Sequence, residues 1–459
     1  MPTHVPPEIF KAYDIRGLYG EQIDGDVAEL IGRAFARVLA GLRGKPAREL
    51  RIGLGRDMRL SAPELAARLH DGMGMEGAHV LDAGMVGTEM LYFLVGSRAL
   101  DGGLMCTASH NPKAYTGVKL VREGALPLSG ETGIGEIREL IAAGLPEPGG
   151  PPGGREAVDV YEEFQRRALS FIDPAAIRPL KVVLDGGNGM AGPMIGPILE
   201  QLGALTFVPT HWEPDGEFPH HEPNPLLPEN RRAAIEKVLG ERVDLGIAWD
   251  GDADRCFFID GDGRFVDGDF LCALLARSVL QKHPGADILY DVRASRAVAD
   301  TVEAAGGRAL VNRVGHAFFK ARMAAEGGAF GGEVSGHYYF ADFYNADSGT
   351  LPALLILELL GKSGRTLAEL LEPLRSRYFI SGEINSEVAD QQDRIEAIRE
   401  RYADGRITEL DGVSVDYPDW HFNVRSSNTE PLLRLCLESL VSPEHMEARR
   451  DEVLSLIRG

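Results

Sequence analysis

The sequence predicts an α/β protein of three similar α/β domains with mixed, largely parallel sheets, followed by a smaller C-terminal α+β domain. Three observations carry this reading. Apolar, strand-like runs end three times in a Gly/Asp-rich turn that opens a helical pattern: LRIGLGRD at 50–57, KVVLDGGNG at 181–189 and DILYDVRAS at 287–295. Each opening continues into a helix of roughly 12 to 16 residues, a glycine, a second strand, another helix and a third strand. After about residue 368 the alternation stops and a strand-rich pattern takes over. Strands alternating with helices mean a largely parallel sheet, and repetition of the whole pattern means copies of one domain.

In chain order, the first domain (about residues 1–150) has its second strand in GAHVLDAG from Gly77 and its third in LMCTASHNP at 104–112. It ends at GLPEPGGPPGG (144–154), where nine of eleven residues are Gly or Pro and neither a helix nor a central strand can continue. The second domain (about 151–258) continues through GALTFVPT from Gly203 to LGIAWDGDADR at 245–255. Between those strands lies EPDGEFPHHEPNPLLPEN (213–230), a proline-rich excursion expected to run over the surface. The third (about 259–368) continues through GGRALVNRVG from Gly306 to FGGEVSGH at 330–337. Its apolar run LPALLILELL (351–360) falls far short of the roughly 20 residues of a membrane span and is expected to be a buried helix. In the tail (about 369–459) we expect a strand in RYFISGEINSEV, a helix from about Asp390, and a hairpin at Asp411-Gly412. WHFNVRSS and PLLRLCLES follow as strands, with RSSNTEP in the loop between them, and a helix closes the chain.

Composition narrows the function classes. Of 459 residues, 69 are acidic and 48 basic, a formal charge of −21 that argues against nucleic acid or an anionic membrane as partner. The N-terminal MPTHVPPEIFKAYDIRG lacks a basic stretch followed by an apolar one, so a cytoplasmic location is expected. Cys106, Cys256, Cys272 and Cys436 are scattered, without a C-x-x-C pair, and read as reduced packing residues.

Four segments carry chemistry. Asp250, Asp252 and Asp254 stand at alternate positions after an apolar strand, where a curled loop can converge their oxygens on a hard cation such as Mg²⁺. An EF-hand is excluded, because Arg255 and Gly261 stand where that loop needs Gly and Glu. Arg255 would add positive charge for a phosphate beside the metal. Thr107-Ala108-Ser109-His110-Asn111-Pro112 puts Ser109 on an exposed turn without a G-x-S-x-G elbow. Gly332-Glu333-Val334-Ser335-Gly336-His337 offers acceptors suited to sugar hydroxyls beside glycines that permit close backbone approach. Arg425-Ser426-Ser427-Asn428-Thr429-Glu430 crowds a guanidinium, hydroxyls and an amide into one loop, a set suited to phosphate. Gly187, Gly189 and Gly192 match G-x-G-x-x-G and keep open a rival NAD-binding reading, although Pro209, Thr210 and His211 occupy the place of the ribose-binding acid.

Together these segments resemble the motifs of the α-D-phosphohexomutases, in the right order along essentially the whole chain. The opening Phe10-Lys11-Ala12-Tyr13-Asp14-Ile15-Arg16-Gly17 is similar to that family's N-terminal motif. The resemblance implies three similar α/β domains and a smaller fourth around a central cleft. It further implies that Ser109 carries a phosphoryl group, that Ser109, Asp250, Asp252 and Asp254 hold Mg²⁺, and that Arg255 steadies the transferring phosphate. Lys119, in YTGVKL, or Arg16 would assist proton transfer. Arg425, Ser427, Asn428 and Thr429 would anchor the nonreacting phosphate, Glu333 and Ser335 the sugar 3- and 4-hydroxyls, with His316 and Tyr13 as further substrate contacts.

The implied reaction interconverts hexose 6-phosphate and hexose 1-phosphate through a hexose 1,6-bisphosphate, which also serves as activator. Val334 is similar to the phosphomannomutase/phosphoglucomutase branch, whereas a Gln is usual there in phosphoglucosamine mutases. The aromatic-rich YYFADFYNAD (338–347) departs from any pattern that maps onto functional residues and leaves the 2-hydroxyl preference open. Phosphoglucosamine mutase, a metal-dependent sugar-phosphate phosphatase, and a noncatalytic sugar-phosphate binder stand as alternatives.

Overall fold

The structure, a computed structural model, describes residues 5–426 and 432–459. The described chain forms two compact units, one of the residues up to Phe265 with His337–Gly364, the other of Val266–Gly336 with Arg365–Gly459.

The three openings become strands Arg51–Arg56, Leu180–Asp185 and Asp287–Asp291, and each lies between the other two strands of its own repeat. Arg51–Arg56 pairs in parallel with His79–Met85 and Gly102–Cys106. Leu180–Asp185 does so with Leu205–Thr210 and Leu245–Trp249. Asp287–Asp291 does so with Arg308–Asn312 and Phe330–Gly332. The shared spatial order, third strand beside first beside second, follows from helical crossovers of one hand between parallel strands. Strands buried on both faces, such as Leu245–Trp249, read as unbroken apolar runs because helices cover both sides.

Antiparallel strands complete the mixed sheets. Tyr115–Arg122 returns along Gly102–Cys106 and carries Ile15–Leu18 on its far edge. Cys256–Asp260 returns along Leu245–Trp249. The tail is a five-stranded antiparallel sheet in the order Phe379–Glu387, Leu432–Ser439, Trp420–Ser426, Val413–Asp416, Arg406–Thr408. Asp390 caps the helix Gln391–Arg401, and Gly412 takes φ +69° in the hairpin, as its Asp-Gly pair requires. The four cysteines are free.

Three expectations are corrected. The helices after the openings span 14, 10 and 9 residues, the last two shorter than expected. A helix Leu367–Arg375, closed by a Thr366/Glu369 capping box, precedes the first tail strand. The 213–230 excursion also packs closely: Phe218 is buried under the Arg59 guanidinium, 5.2 Å from its ring centre, and the Pro223 ring lies against Gly187 and Gly251.

The run LPALLILELL is a buried helix, Thr350–Ser363, within the first unit. No helix among the described residues is long and apolar enough to cross a membrane.

Candidate active site

Ser109 follows strand Gly102–Cys106 in a tight turn that is buried, not exposed as expected, because the carboxylate loop packs on it, and it takes φ +48°, a left-handed conformation unusual for a residue with a side chain. Arg59 holds that turn. Its buried guanidinium donates to the carbonyl oxygens of Ser109 (2.8 Å), Asn111 (2.6 Å), Pro112 (3.0 Å) and Tyr115 (3.1 Å), and Asp57 lies 3.4 Å from its Nε. The Ser109 hydroxyl donates to Asp250 Oδ2 at 2.9 Å. His110 Nδ1 lies 3.2 Å from the Ser109 Oγ, and burial, reinforced by Arg255 and Arg16, holds this imidazole well below its ordinary pKa, so it is neutral.

Asp250, Asp252 and Asp254 are fully buried on the loop joining Leu245–Trp249 to Cys256–Asp260, and ligand oxygens of all three lie within 4.8 Å of one another. Ala253, at φ +58°, curls the loop between them. Burial, compounded by Asp254 and Asp252 and opposed by Arg255 and Lys119, pushes the Asp250 carboxyl up to about 7. Arg255 Nε donates to Asp250 Oδ2 at 2.9 Å.

Lys119 Nζ donates to Asp252 Oδ2 at 2.7 Å and also to Asp254. Burial alone would lower the Lys119 pKa, but Asp252 and Asp254 outweigh it and raise it, so this side chain stays an ammonium. Thr88 donates its hydroxyl to Asp252 Oδ2, while Asp252 Oδ1 is buried with no hydrogen-bond partner among the described residues. An all-oxygen, concentrated and incompletely satisfied carboxylate set fits a hard divalent cation.

The glycines of the rival motif have a packing reason. A Cβ on Gly189 would lie 2.5 Å from the Gly251 oxygen, and one on Gly192 2.1 Å from the Trp212 oxygen. The first lets the turn seat against the carboxylate loop, where Met190 N donates to Gly251 O at 2.9 Å, and the second lets the helix start pack on Trp212.

Arg16 donates to Asn111 Oδ1 at 2.7 Å and pairs with Asp14, so it stands against the Ser109 turn. Tyr13 is half-buried just before strand Ile15–Leu18.

In the second unit, Glu333 follows strand Phe330–Gly332 and is buried. Its Oε2 accepts from Gly315 N at 3.0 Å, the residue before His316, and lies 3.6 Å from Arg293. His316 starts the helix His316–Glu326 and is half-buried, as is Ser335. Arg425, at the end of its strand, donates to Glu383 Oε2 at 3.2 Å. Arg293 reaches the same oxygen at 3.1 Å, and Arg434 reaches Oε1 at 3.3 Å. Burial would raise the Glu383 carboxyl, but Arg293, Arg425 and Arg434 hold it below its usual range. Arg293 is also held by Asp291, so Arg425 and Arg434 are the further guanidiniums that Glu383 gathers, groups of the kind that fork onto phosphate oxygens. Ser427, Asn428 and Thr429 lie outside the described residues.

Sequence models of the phosphoglucomutase/phosphomannomutase family match the chain from end to end: α/β/α domain I at residues 7–146, domain II at 161–263, domain III at 267–378 and the C-terminal domain at 383–456. The chain belongs to this family. It is 43% identical over 452 residues to phosphohexose mutases of Xanthomonas campestris pv. campestris, covering 98% of this chain and 99% of that one. It is 42% identical over 456 residues to a phosphomannomutase of Escherichia coli strain K12, covering 98% of each. The crystal structure of a phosphoglucomutase/phosphomannomutase family protein from Burkholderia thailandensis matches with a TM-score of 0.90 at 34% identity, over 99% of this chain and 98% of that one.

Within this family framework, the first unit brings together Ser109, Lys119, Arg255 and the three aspartates, and the second links Glu333 to Arg425 through Arg293 and Glu383. Sequence reading missed Arg59, Arg293 and Glu383, and gave His110 and Asn111 no role of their own. One signal was available. Asp57, Asp185 and Asp291 stand at or just past the end of the first strand of each repeat, and each Oδ1 accepts the backbone N–H two residues on, from Arg59, Gly187 and Arg293 at 2.9, 3.0 and 2.8 Å. Aligning the repeats on that aspartate exposes both arginines at once.

Proposed function

We propose that this family member is a phosphohexomutase that interconverts hexose 6-phosphate and hexose 1-phosphate, with mannose phosphates as substrates and glucose phosphates accepted too. The observation that carries the proposal is the Ser109 hydroxyl bonded to Asp250 within a buried three-carboxylate cluster. The names of the relatives from Xanthomonas campestris and Escherichia coli support it. Its four domains would fall at about residues 1–150, 151–258, 259–368 and 369–459.

In this reading Ser109 carries a phosphoryl group in the active enzyme. A sugar hydroxyl attacks that phosphorus, the new sugar O–P bond forms as the Ser109 Oγ–P bond breaks, and a hexose 1,6-bisphosphate results. Reversed on its other phosphate, the same transfer restores phosphoserine and releases the isomer. Asp250, Asp252 and Asp254, with a phosphoserine oxygen, would hold Mg²⁺, which neutralises charge developing on the transferring group. Arg255 steadies the equatorial oxygens.

Lys119, an ammonium bonded to Asp252 and Asp254, and Arg16, bonded to Asn111, would pass the proton given up by the attacking sugar hydroxyl on to the Ser109 oxygen as its bond to phosphorus breaks, and end the step with their own protons restored. Arg425 with Ser427, Asn428 and Thr429 would anchor the other phosphate. Glu333 and Ser335 would take the 3- and 4-hydroxyls, with His316 and Tyr13 as further contacts. A site that grips only those hydroxyls accepts either 2-epimer.

Phosphorus NMR tests this with enzyme, Mg²⁺, trace glucose 1,6-bisphosphate and, in separate tubes, the 1-phosphates of mannose, glucose and glucosamine. We expect 6-phosphate without inorganic phosphate, fastest with mannose or glucose. Inorganic phosphate alone would mean a phosphatase, and glucosamine fastest the neighbouring branch. Ser109→Ala should lower turnover by roughly a thousand-fold or more with the fold intact.

A further inference from the structure

We propose that Asp185, His211 and His221 form a second divalent-metal site, of the zinc class, separate from the carboxylate cluster. Asp185 ends strand Leu180–Asp185, His211 directly follows its parallel neighbour Leu205–Thr210, and His221 belongs to the proline-rich excursion. The register pairs Asp185 with Thr210, so His211 stands one residue past the partner of Asp185 at the same end of the sheet.

His211 Nδ1 lies 3.2 Å from Asp185 Oδ1 and 3.2 Å from His221 Nε2, which is itself 3.8 Å from Asp185 Oδ2. A tetrahedral ion with metal–ligand bonds of about 2.0–2.1 Å sets its ligand atoms about 3.3–3.4 Å apart, close to these spacings. Two imidazoles and a carboxylate select a borderline-soft transition ion over Mg²⁺ and leave a fourth position for water.

The surroundings orient the ligands. His221 Nδ1 lies 2.8 Å from the Glu222 carbonyl oxygen, to which it donates, and in the neutral ring this leaves the Nε2 lone pair facing His211 and Asp185. Asp185 Oδ1 also accepts from Gly187 N at 3.0 Å. His211 takes φ +46° at the end of its strand, and the His220 ring packs on it at 4.3 Å between centres.

The repeats supply an independent reason. In the first and third copies the equivalent aspartate has its own arginine two residues on: Arg59 for Asp57, and Arg293, bonded through Nε and Nη2, for Asp291. In the second copy Gly187 stands there, and the buried Asp185 faces two imidazoles instead. A buried carboxylate needs a compensating charge, and a metal ion held by those imidazoles supplies it. The ion would pin the excursion to the strand ends. Pro223, two residues past His221, lies 3.2 Å from a Cβ built on Gly251, so the pin braces the Asp250–Asp254 loop from behind.

The test uses the full chain in excess Mg²⁺, which keeps the carboxylate cluster filled, mixed with equimolar Zn²⁺ and passed over a desalting column before metal analysis. We expect one zinc per chain in the unaltered protein and in Asp252→Asn, and at least a tenfold lower occupancy in His221→Gln. Co²⁺ added to the unaltered protein in excess Mg²⁺ should give the intense visible bands of a four-coordinate ion, a readout that does not depend on a variant folding. The proposal is overturned by no zinc in the unaltered protein, which leaves only a His221–Asp185 ion pair. It is equally overturned by zinc that survives His221→Gln, zinc lost in Asp252→Asn alone, or the pale spectrum of six-coordinate Co²⁺.

Discussion

Arg59 shows how much of the site rests on one side chain that never needs to touch substrate. Its planar guanidinium serves four carbonyls around the Ser109 turn, and a lysine, with three donors at one point, cannot span them. Arg59→Lys should cost about 2 kcal/mol or more in urea unfolding and lower kcat with the Ser109 turn released. Asp269 sets a pH dependence in the other unit. Burial, helped by Asp267 and Asp291 and opposed by the Ser295 N–H it accepts at 2.7 Å, pushes its carboxyl up to about 7. A carboxyl whose pKa is raised by folding favours the native state below its unfolded value near 4, and that stability is lost as pH rises to about 7. Asp269→Asn should therefore melt with the parent at pH 4 and above it at pH 8, in thermal scans at both values.

Between elements, the contact that decides geometry is the seat of the Gly187–Met190 turn on the carboxylate loop. Gly189→Ala would press a methyl group against the Gly251 carbonyl, a backbone atom that cannot swing aside. The Mg²⁺ concentration for half-maximal turnover should rise by about 10-fold or more, while the circular dichroism spectrum is kept. This contact also marks where sequence reading stops. Strand openings, the DGDAD loop and Ser109 were legible because each is a local pattern: apolar runs closed by Gly/Asp-rich turns, alternate carboxylates, a turn dipeptide. Arg59 was not, because its partners begin 50 residues away, and neither was Thr88, 164 residues from Asp252. Glu383 and Arg293 are 90 residues apart on different elements. Helix lengths were overestimated because prolines and glycines, as in AGPMIGPILE, shorten an apolar stretch that periodicity alone extends.

For the molecule as a whole, the division of the chain matters more than the number of repeats. The helix Thr350–Ser363 is buried along Thr350–Leu360, and such a helix carries no polar face to announce which core it joins. It joins the first unit, where Ser348 and Thr350 donate to the buried Glu89 and Gly349 O accepts from Trp249 Nε1 at 2.9 Å. A chain ending at Phe265 should therefore be poorly soluble and lack native near-ultraviolet dichroism, although it contains Ser109 and all three aspartates of the carboxylate cluster. Soluble yield and spectra against the full chain decide this.

That division also sets an order in time. The residues that complete the first unit are made only after the whole of Val266–Gly336 has been synthesised. At synthesis rates of about 5–20 residues per second, a nascent chain that already carries its serine and aspartates waits roughly 5–20 s for the helix that closes over them. Through that interval its apolar strands are open to chaperones, and slower translation lengthens their exposure.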